Sequence, residues 1–301
     1  MTAPAQAFPQ TLDGRDLLVV PTGTDVLQLA RAWFPDAVWT RRPVSAQDAV
    51  VRPMTGARFR GLAAAGVTVA APGVMRLDAA VDLLGPRPVA LGSAVATGLA
   101  AQPADVYELS LAAVGEAAAE TARAWLVAAA RRASGAVVPA DGSSVVVPDR
   151  GELLDLTLWT AVPMSAQDAL PLLRPALAGG RLGEPRTAGA GPGPVPFSIT
   201  AMFEFDGALT IELARPTHQP AVLASLDWRE HGPWAYRVAW SSSPDVEMDP
   251  ASPLLAIARG RMRPVVGRAM SALWRAVGGT VVDAGGFVVT PDELRDQASQ
   301  R

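Results

Sequence analysis

Two pairs of similar segments recur along this chain in the same order, and this repetition is the strongest constraint on the fold. Residues 39–49 (WTRRPVSAQDA) and 159–169 (WTAVPMSAQDA) are identical at eight of eleven positions. Residues 134–149 match residues 278–292 with one gap. Because self-similarity in a fixed order is typical of repeated domains, the sequence predicts two tandem copies of one domain.

The matched segments also suggest where each copy begins and ends. We predict a disordered lead over 1–14, a first copy over 15–150, a second copy over 151–295, and a tail over 296–301. The length of 301 residues agrees with this division, since a single domain typically has about 100–200 residues.

The first repeated segment predicts a helix N-terminus in each copy. Ser45 and Ser165 are favourable N-cap residues, and Asp48 and Asp168, three residues later, complete a capping-box-like pair. A catalytic Ser–Asp pair is the less favoured interpretation. A capping Ser is already committed to backbone donors, and no His lies near it in the sequence.

The second repeated segment predicts a helix, a glycine stop and a two-stranded hairpin. Before it, apolar residues follow a helical spacing: Val266, Met270, Leu273, Trp274 and Val277. Gly278 and Gly279 then provide a C-cap. The β-prone runs 280–282 and 287–290 flank a glycine-rich turn and form the hairpin.

The remaining pattern of the second copy predicts the fold class. Strand candidates 197–205 and 208–213 flank Asp206-Gly207, a strong signal for a two-residue hairpin turn. Pro264 predicts a kink or a break in the long helix that follows. The order strand, helix, hairpin, strand, long helix, hairpin indicates an α+β domain with a mostly antiparallel sheet and helices on one face. A ferredoxin-like or similar sandwich is the expected geometry.

Composition removes several classes of chemistry. Lys and Cys are both absent, which excludes a lysine Schiff base, a P-loop lysine, thiol nucleophiles, disulfides and iron–sulfur clusters. Only two His residues are present, so a His-rich metal site within one chain is excluded too. We therefore expect no cofactor and no metal. Asn is absent as well; because Lys and Asn codons both begin with AA, GC-rich bacterial coding explains the two absences better than a selective avoidance of Lys.

Charge and hydropathy constrain the partners. The net charge is −3, and the Arg residues are dispersed among a larger number of acids, which argues against a nucleic-acid-binding protein. The most apolar stretch, residues 111–130, is Ala-rich and charged, so no transmembrane segment is predicted. The N-terminus lacks the basic and apolar regions of a secretory signal. A cytoplasmic protein without a membrane partner is the expectation.

The richest polar segment surrounds His231. Asp227 and Glu230 lie close to it in sequence, and a His beside carboxylates suits general acid–base catalysis. Adjacent residues do not share a face, however, and the following Gly and Pro mark a loop. The simpler interpretation is an exposed loop that Trp228 and Trp234 anchor to the core.

Three other patterns have simple structural interpretations. Residues 92–98 resemble a phosphate loop but lack the G-x-G-x-x-G spacing. The alternating acids in 245–249 lack the glycine and distal Glu of an EF-hand. Arg259 and Arg263 share one helix face, whereas Arg261 points away; a solvated face is favoured over a site for phosphate or an acidic partner.

Three functional hypotheses remain open. The first is a non-catalytic binding or assembly protein that uses the interdomain groove or a broad surface, with another protein as its partner. Its candidate binding residues are Trp228, Arg229, Trp234, Arg259 and Arg263. The alternative is a hydrolase-type enzyme at the interdomain cleft, with His231, Glu230 and Asp227 as catalytic residues. A small-ligand carrier is the third, and it requires a deep apolar pocket lined by Trp. The oligomeric state is left open.

Overall fold

The computed structural model confirms the α+β class. It describes residues 14–44, 71–89, 98–99, 102–111, 115–183, 195–243 and 252–299. Residues 1–13 of the predicted disordered lead lie outside these ranges. The chain divides into two compact units, Met1–Asp149 (unit 1) and Arg150–Arg301 (unit 2). Each unit contains an antiparallel sheet with helices packed against it.

Unit 1 is built on a six-stranded sheet. Its elements, in chain order, are β1 (Leu17–Pro21), α1 (Val26–Arg31), β2 (Val38–Arg41), β3 (Gly73–Asp78), β4 (Val81–Val89), β5 (Ala104–Leu111), α2 (Glu116–Ala133) and β6 (Ala136–Val138). The strands lie in the order β2-β3-β4-β5-β1-β6. Alternate residues such as Leu18 and Tyr107 pack against Trp125 of α2, because successive strand residues point to opposite faces.

Unit 2 is built on a seven-stranded sheet. Its elements are β7 (Leu156–Thr160), α3 (Ala166–Leu173), β8 (Arg181–Leu182), β9 (Phe197–Phe203), β10 (Gly207–Ala214), a 3₁₀ turn (Ala221–Ser225), α4 (Trp228–His231), β11 (Trp234–Ser241), α5 (Pro253–Val277), β12 (Thr280–Asp283), β13 (Val288–Val289) and α6 (Pro291–Ser299). The strands lie in the order β13-β12-β7-β11-β10-β9-β8. Despite Pro264, α5 is one continuous helix.

The two sheets share a strand order and a register. The series β8-β9-β10-β11-β7-β12 of unit 2 repeats the series β2-β3-β4-β5-β1-β6 of unit 1. Tyr107 lies opposite Leu18 in unit 1, and Tyr236 lies opposite Leu158 in unit 2. These are the two tyrosines of the chain, and both are buried. Burial raises the pKa of each phenol, because desolvation disfavours the phenolate.

One ion pair occupies the same place in both sheets with its charges reversed. In unit 1, Nη1 of Arg15 lies 3.6 Å from Oε1 of Glu108. In unit 2, Oδ2 of Asp155 lies 3.0 Å from Nη2 of Arg237. Arg15 lies two residues before Leu17, which faces Glu108 across the strand pair. Asp155 likewise lies two residues before Thr157, which faces Arg237, so the two ion pairs occupy the same register position.

The second repeated segment has the same structure in both units. It begins where a long helix ends: Ser134 follows α2 with φ of 56°, and Gly278 follows α5 with φ of 67°. A short strand comes next and pairs with the residues after the turn. Val137 bridges to Val146, and Val281 pairs with Val289. In the one-gap sequence alignment, Val137 aligns with Val281 and Val146 aligns with Val289.

The first repeated segment does not have the same structure in both units. Trp39 lies on the edge strand β2, whereas Trp159 lies on the central strand β7 between β11 and β12. Residues 45–49 lie outside the described residues. Ser165 caps α3 as predicted, with its Oγ accepting from the Asp168 backbone N–H at 3.3 Å. The residue at the corresponding place in unit 1 is Asp25, which caps α1.

The structure differs from the expected domain geometry in two further respects. Among the described residues, four strands lie between α1 and α2, whereas a β-α-β-β-α-β unit has two, so this element order does not match the ferredoxin-like geometry. The last helix, α6, crosses the predicted domain end at residue 295. Its Leu294 is buried in the core, and a Cβ on Gly267 of α5 would lie 2.8 Å from the Ala298 nitrogen. Close helix–helix packing therefore holds this segment.

The turn of the β9–β10 hairpin contains Phe205, whose backbone is strained. The predicted two-residue turn at Asp206-Gly207 is instead a three-residue connection, residues 204–206, between the two strands. Phe205 has φ of 67° and its side chain is 77% exposed. Asp206 anchors the turn, because its carbonyl accepts a hydrogen bond from Nε1 of Trp240 at 2.7 Å and its carboxylate lies 3.4 Å from Arg261.

Replacing Phe205 by glycine is expected to raise the free energy of unfolding by about 1 kcal/mol, because an L-residue in the left-handed region is strained. The exposed ring contributes little packing that could offset this gain. Urea denaturation followed by circular dichroism measures the change. Phe205→Ala is the control, since it removes the ring and keeps the Cβ; an equal gain in that variant would contradict the strain argument.

Candidate functional site

The polar segment around His231 forms a short helix, α4, that lies against the end of strand β7 in the sheet of unit 2. Asp227 begins α4, with its Oδ1 accepting from the Arg229 backbone N–H at 3.0 Å. Gly232 ends the helix with φ of 56°. A Cβ at this glycine would lie 2.3 Å from Cα of Ala161, so α4 approaches the end of β7 as closely as glycine allows.

Trp228 and Arg229 form an exposed aromatic–cation pair on α4. The Trp228 side chain is 62% exposed, and the Arg229 guanidinium carbon lies 5.3 Å from the ring centroid. Nη1 of Arg229 also lies 3.6 Å from Oδ2 of Asp227, which keeps the guanidinium near the ring. The prediction that Trp228 anchors the loop to the core is wrong. Its ring faces solvent, and Asp227 and Gly232 fix the two ends of α4 instead.

The three residues predicted as catalytic do not converge. His231 is 7% exposed, and its Nδ1 lies 3.3 Å from the carbonyl oxygen of its neighbour Gly232. Among the described residues, no carboxylate bonds to this imidazole. The Asp227 carboxylate is committed to Arg229, and Glu230 faces a different part of the surface. Within the described residues the imidazole therefore contacts a backbone carbonyl rather than a carboxylate.

Glu230 lines an open depression of about 620 Å³ at the C-terminal end of α5. The other residues that line it are Trp274, Arg275, Gly278, Gly279 and Thr280. Two hydrogen bonds fix its walls: Oγ1 of Thr280 donates to the Glu230 carbonyl at 2.9 Å, and Nε1 of Trp274 donates to the Gly279 carbonyl at 3.1 Å. The depression thus joins α4 to the end of α5 and the start of β12.

The depression carries both signs of charge. Within the described part of the chain, neither the Glu230 carboxylate nor the Arg275 guanidinium has an ion-pair partner. The C-terminal end of α5 adds a partial negative charge of about half an elementary charge, because the peptide dipoles of a helix align. Opposite charges that line one surface without neutralising each other can both be used by a ligand.

The other predicted binding residues lie elsewhere. Trp234 packs against the core of unit 2 rather than lining the depression. Arg259 and Arg263 are half-buried on α5, whereas Arg261 is exposed and pairs with Asp206. At a helix rise of 1.5 Å per residue, Arg259 lies about 22 Å along the axis from Trp274. Trp234, Arg259 and Arg263 therefore do not belong to the site formed by α4 and the depression.

Sequence reasoning missed Trp274 and Arg275 as site residues. The apolar spacing places Trp274 on a helix face, and no pattern in the sequence distinguishes Arg275. The available signal was the glycine stop after α5, since a helix that ends at Gly278-Gly279 exposes its C-terminal end. The sequence does not show that Glu230, more than forty residues earlier, lies beside that end.

Metal and membrane signals are absent from the part of the chain that the structure describes. No group of three or more His, Cys, Asp or Glu side chains is arranged to hold a metal ion there. The acids in 245–249 and the loop 92–97 lie outside the described residues. None of the described helices combines the length and the apolar character needed to cross a membrane. Comparisons of the chain with models of protein families, with curated proteins and with solved structures gave no match.

Proposed function

We propose that this chain is a non-catalytic binding protein that recognises another protein through one surface of unit 2. We call this the α4 surface: Trp228, Arg229, Glu230, Trp274, Arg275 and Thr280. The observation that carries the proposal is the 62% exposure of Trp228 with a guanidinium held over its ring. Trp and Arg are the residue types most enriched among energetic hot spots of protein interfaces.

The arrangement of Trp228 favours a partner with an apolar pocket. A Trp ring left in water gains about 25 cal/mol for each Å² of apolar surface that a partner covers. Arg229 and Asp227 hold one another beside the ring, so little side-chain freedom is lost on binding. Glu230, two residues after Trp228, lines the depression, which adds a concave surface to the proposed interface.

No observation favours the enzymatic alternative. Hydrolase-type chemistry at this segment needs His231 accessible and oriented by a carboxylate, and the structure places it inside the fold against a backbone carbonyl. A small-ligand carrier with a deep apolar pocket lined by Trp is not favoured either, since the depression is open and Trp274 is the one Trp that lines it.

The proposal includes two copies of one domain, of which only unit 2 carries the α4 surface. Three features support the duplication: the shared strand order, the two tyrosines at one register position, and the matching pairings Val137–Val146 and Val281–Val289. In unit 1 the connection that corresponds to α4 runs between β4 and β5. Residues 90–97 and 100–101 of this connection lie outside the described residues, and the proposal assigns binding residues to unit 2 alone.

Replacing Trp228 by alanine is expected to weaken partner binding by about tenfold or more, which corresponds to a hot-spot loss above 1.4 kcal/mol. Quantitative mass spectrometry of proteins captured from native lysate measures the effect. A protein retained by the wild type and lost with Trp228→Ala identifies the partner.

The matched control is Leu254→Ala, an apolar residue of unit 2 that is 63% exposed and lies outside the α4 surface. It should capture the same protein as the wild type. Equal capture by Trp228→Ala and the wild type, or the same loss in both variants, would contradict the proposal.

A further inference from the structure

We propose that the depression at the C-terminal end of α5 is a small-molecule site that binds a free α-amino acid as its zwitterion. This inference goes beyond the protein partner and shares with it only the α4 surface. Residues of both charges line the depression, no ion pair joins them within the described residues, and the indole of Trp274 lines the depression with them. Its size also suits a small ligand, since ligand sites in proteins typically have volumes of about 300–1,000 Å³.

The negative side of the depression suits an ammonium group. The Glu230 carboxylate lines it, and α5, a helix of 25 residues, ends there at Gly278. The Thr280 bond to the Glu230 carbonyl holds the backbone of α4 against this helix end. A carboxylate and a helix C-terminus both attract a cation.

The positive side of the depression suits a carboxylate group. Arg275 lies in the last turn of α5, and its exposed guanidinium offers the planar fork that binds a carboxylate through two parallel hydrogen bonds. No ion pair joins it to Glu230 within the described part of the chain, although both line one depression. The two groups are therefore available to opposite ends of one ligand.

Trp274 gives the site an apolar wall. Its indole N–H is already bonded to the Gly279 carbonyl, so the polar edge of the ring needs no ligand partner. The apolar part of the ring is left for the hydrocarbon portion of a ligand. An amino-acid side chain fits this role without any further polar group.

Ligands with a single charge fit the site less well. A simple cation would meet the repulsion of Arg275, and a simple anion would meet Glu230 and the negative end of α5. A zwitterion pairs with both sides and leaves neither charge opposed. An α-amino acid is the smallest common ligand that carries an ammonium and a carboxylate on one carbon.

Isothermal titration calorimetry with the purified full chain tests the proposal. The probes are the twenty free amino acids at up to about 10 mM, a range that includes weak small-molecule binding. The best ligand is then compared with its N-acetyl form and its amide form. Each blocked form should bind about tenfold more weakly to the wild type, since one charge-assisted contact is lost.

Two variants test which residue binds the ammonium group of the ligand and which binds its carboxylate group. Glu230→Gln should abolish the preference for the free amine over the N-acetyl form and keep the preference for the free acid over the amide. Arg275→Gln should give the reverse pattern. The controls Glu204→Gln and Arg268→Gln change exposed residues outside the depression and should keep both preferences.

Two results would overturn the inference: no binding of any free amino acid, or preferences that survive in both Glu230→Gln and Arg275→Gln. Partner capture by the wild type does not depend on either result. A protein that binds its partner but no amino acid therefore disproves this inference alone. A protein that binds an amino acid but captures no partner disproves the proposed function alone.

Discussion

Replacing Gly279 by alanine is expected to unfold unit 2 under conditions in which the wild-type unit is stable. Gly279 has φ of 113°, where an L-residue is strained, and the added Cβ would lie 2.1 Å from the Trp159 carbonyl oxygen. This oxygen belongs to the central strand β7, which cannot move without breaking its pairing with β11 and β12. We expect a loss of about 4 kcal/mol or more, a large part of the 5–15 kcal/mol that typically stabilises a domain.

The neighbouring glycine is the control for this prediction. Gly278 also has a positive φ, of 67°, but its added Cβ would meet no atom within 4 Å, so Gly278→Ala should cost only about 1–2 kcal/mol. In unit 1, Gly135→Ala should destabilise as Gly279→Ala does, because its Cβ would lie 2.3 Å from the Val19 carbonyl oxygen. Urea denaturation followed by circular dichroism compares the three variants. Similar losses at Gly278 and Gly279 would contradict the steric argument.

Replacing Trp125 by alanine is expected to cost unit 1 about 3–5 kcal/mol, the range for removing a buried aromatic side chain. Trp125 is fully buried on α2 and packs edge-on against Phe34, with ring centroids 5.9 Å apart. Its Nε1 donates to the Leu29 carbonyl at 3.1 Å. The substitution therefore leaves a cavity and also leaves a carbonyl of α1 without this donor. Urea denaturation monitored by circular dichroism measures the loss.

Two further substitutions separate the causes of that loss. Trp228→Ala removes the same side chain from an exposed position and should change the free energy of unfolding by no more than about 0.5 kcal/mol. Trp125→Phe keeps most of the apolar volume and loses the hydrogen bond, so its cost should be intermediate. If Trp125→Ala were no more destabilising than Trp228→Ala, the described core of unit 1 would be wrong.

Local signals in the sequence predicted local structure well. The helix, the glycine stop and the following strand at Val277–Thr280 depend on neighbouring residues, and the structure contains all three. The cap of α3 at Ser165 was likewise predictable, because an N-cap and its acceptor geometry involve only four residues. The α+β class followed from the order of such elements.

Features that depend on distant residues were not predictable in the same way. The segments 39–49 and 159–169 are similar in sequence, yet Trp39 is on an edge strand and Trp159 on a central one, since strand position is decided by pairing far along the chain. The depression joins Glu230 to the end of α5, and His231 is buried although residues 227–230 just before it are exposed. Adjacent residues in sequence therefore have different environments, which composition and spacing do not reveal.

The reversed ion pairs add an electrostatic penalty to an exchange of strands between the two sheets. Two sheets of one strand order in a single chain risk exchanging strands while they assemble. If β1 took the place of β7, Arg15, two residues before β1, would lie near Arg237; if β7 took the place of β1, Asp155 would lie near Glu108. Like charges across a strand pair repel, whereas the native pairs attract. Both Arg side chains are more than half exposed, so each penalty is expected to be below about 1 kcal/mol.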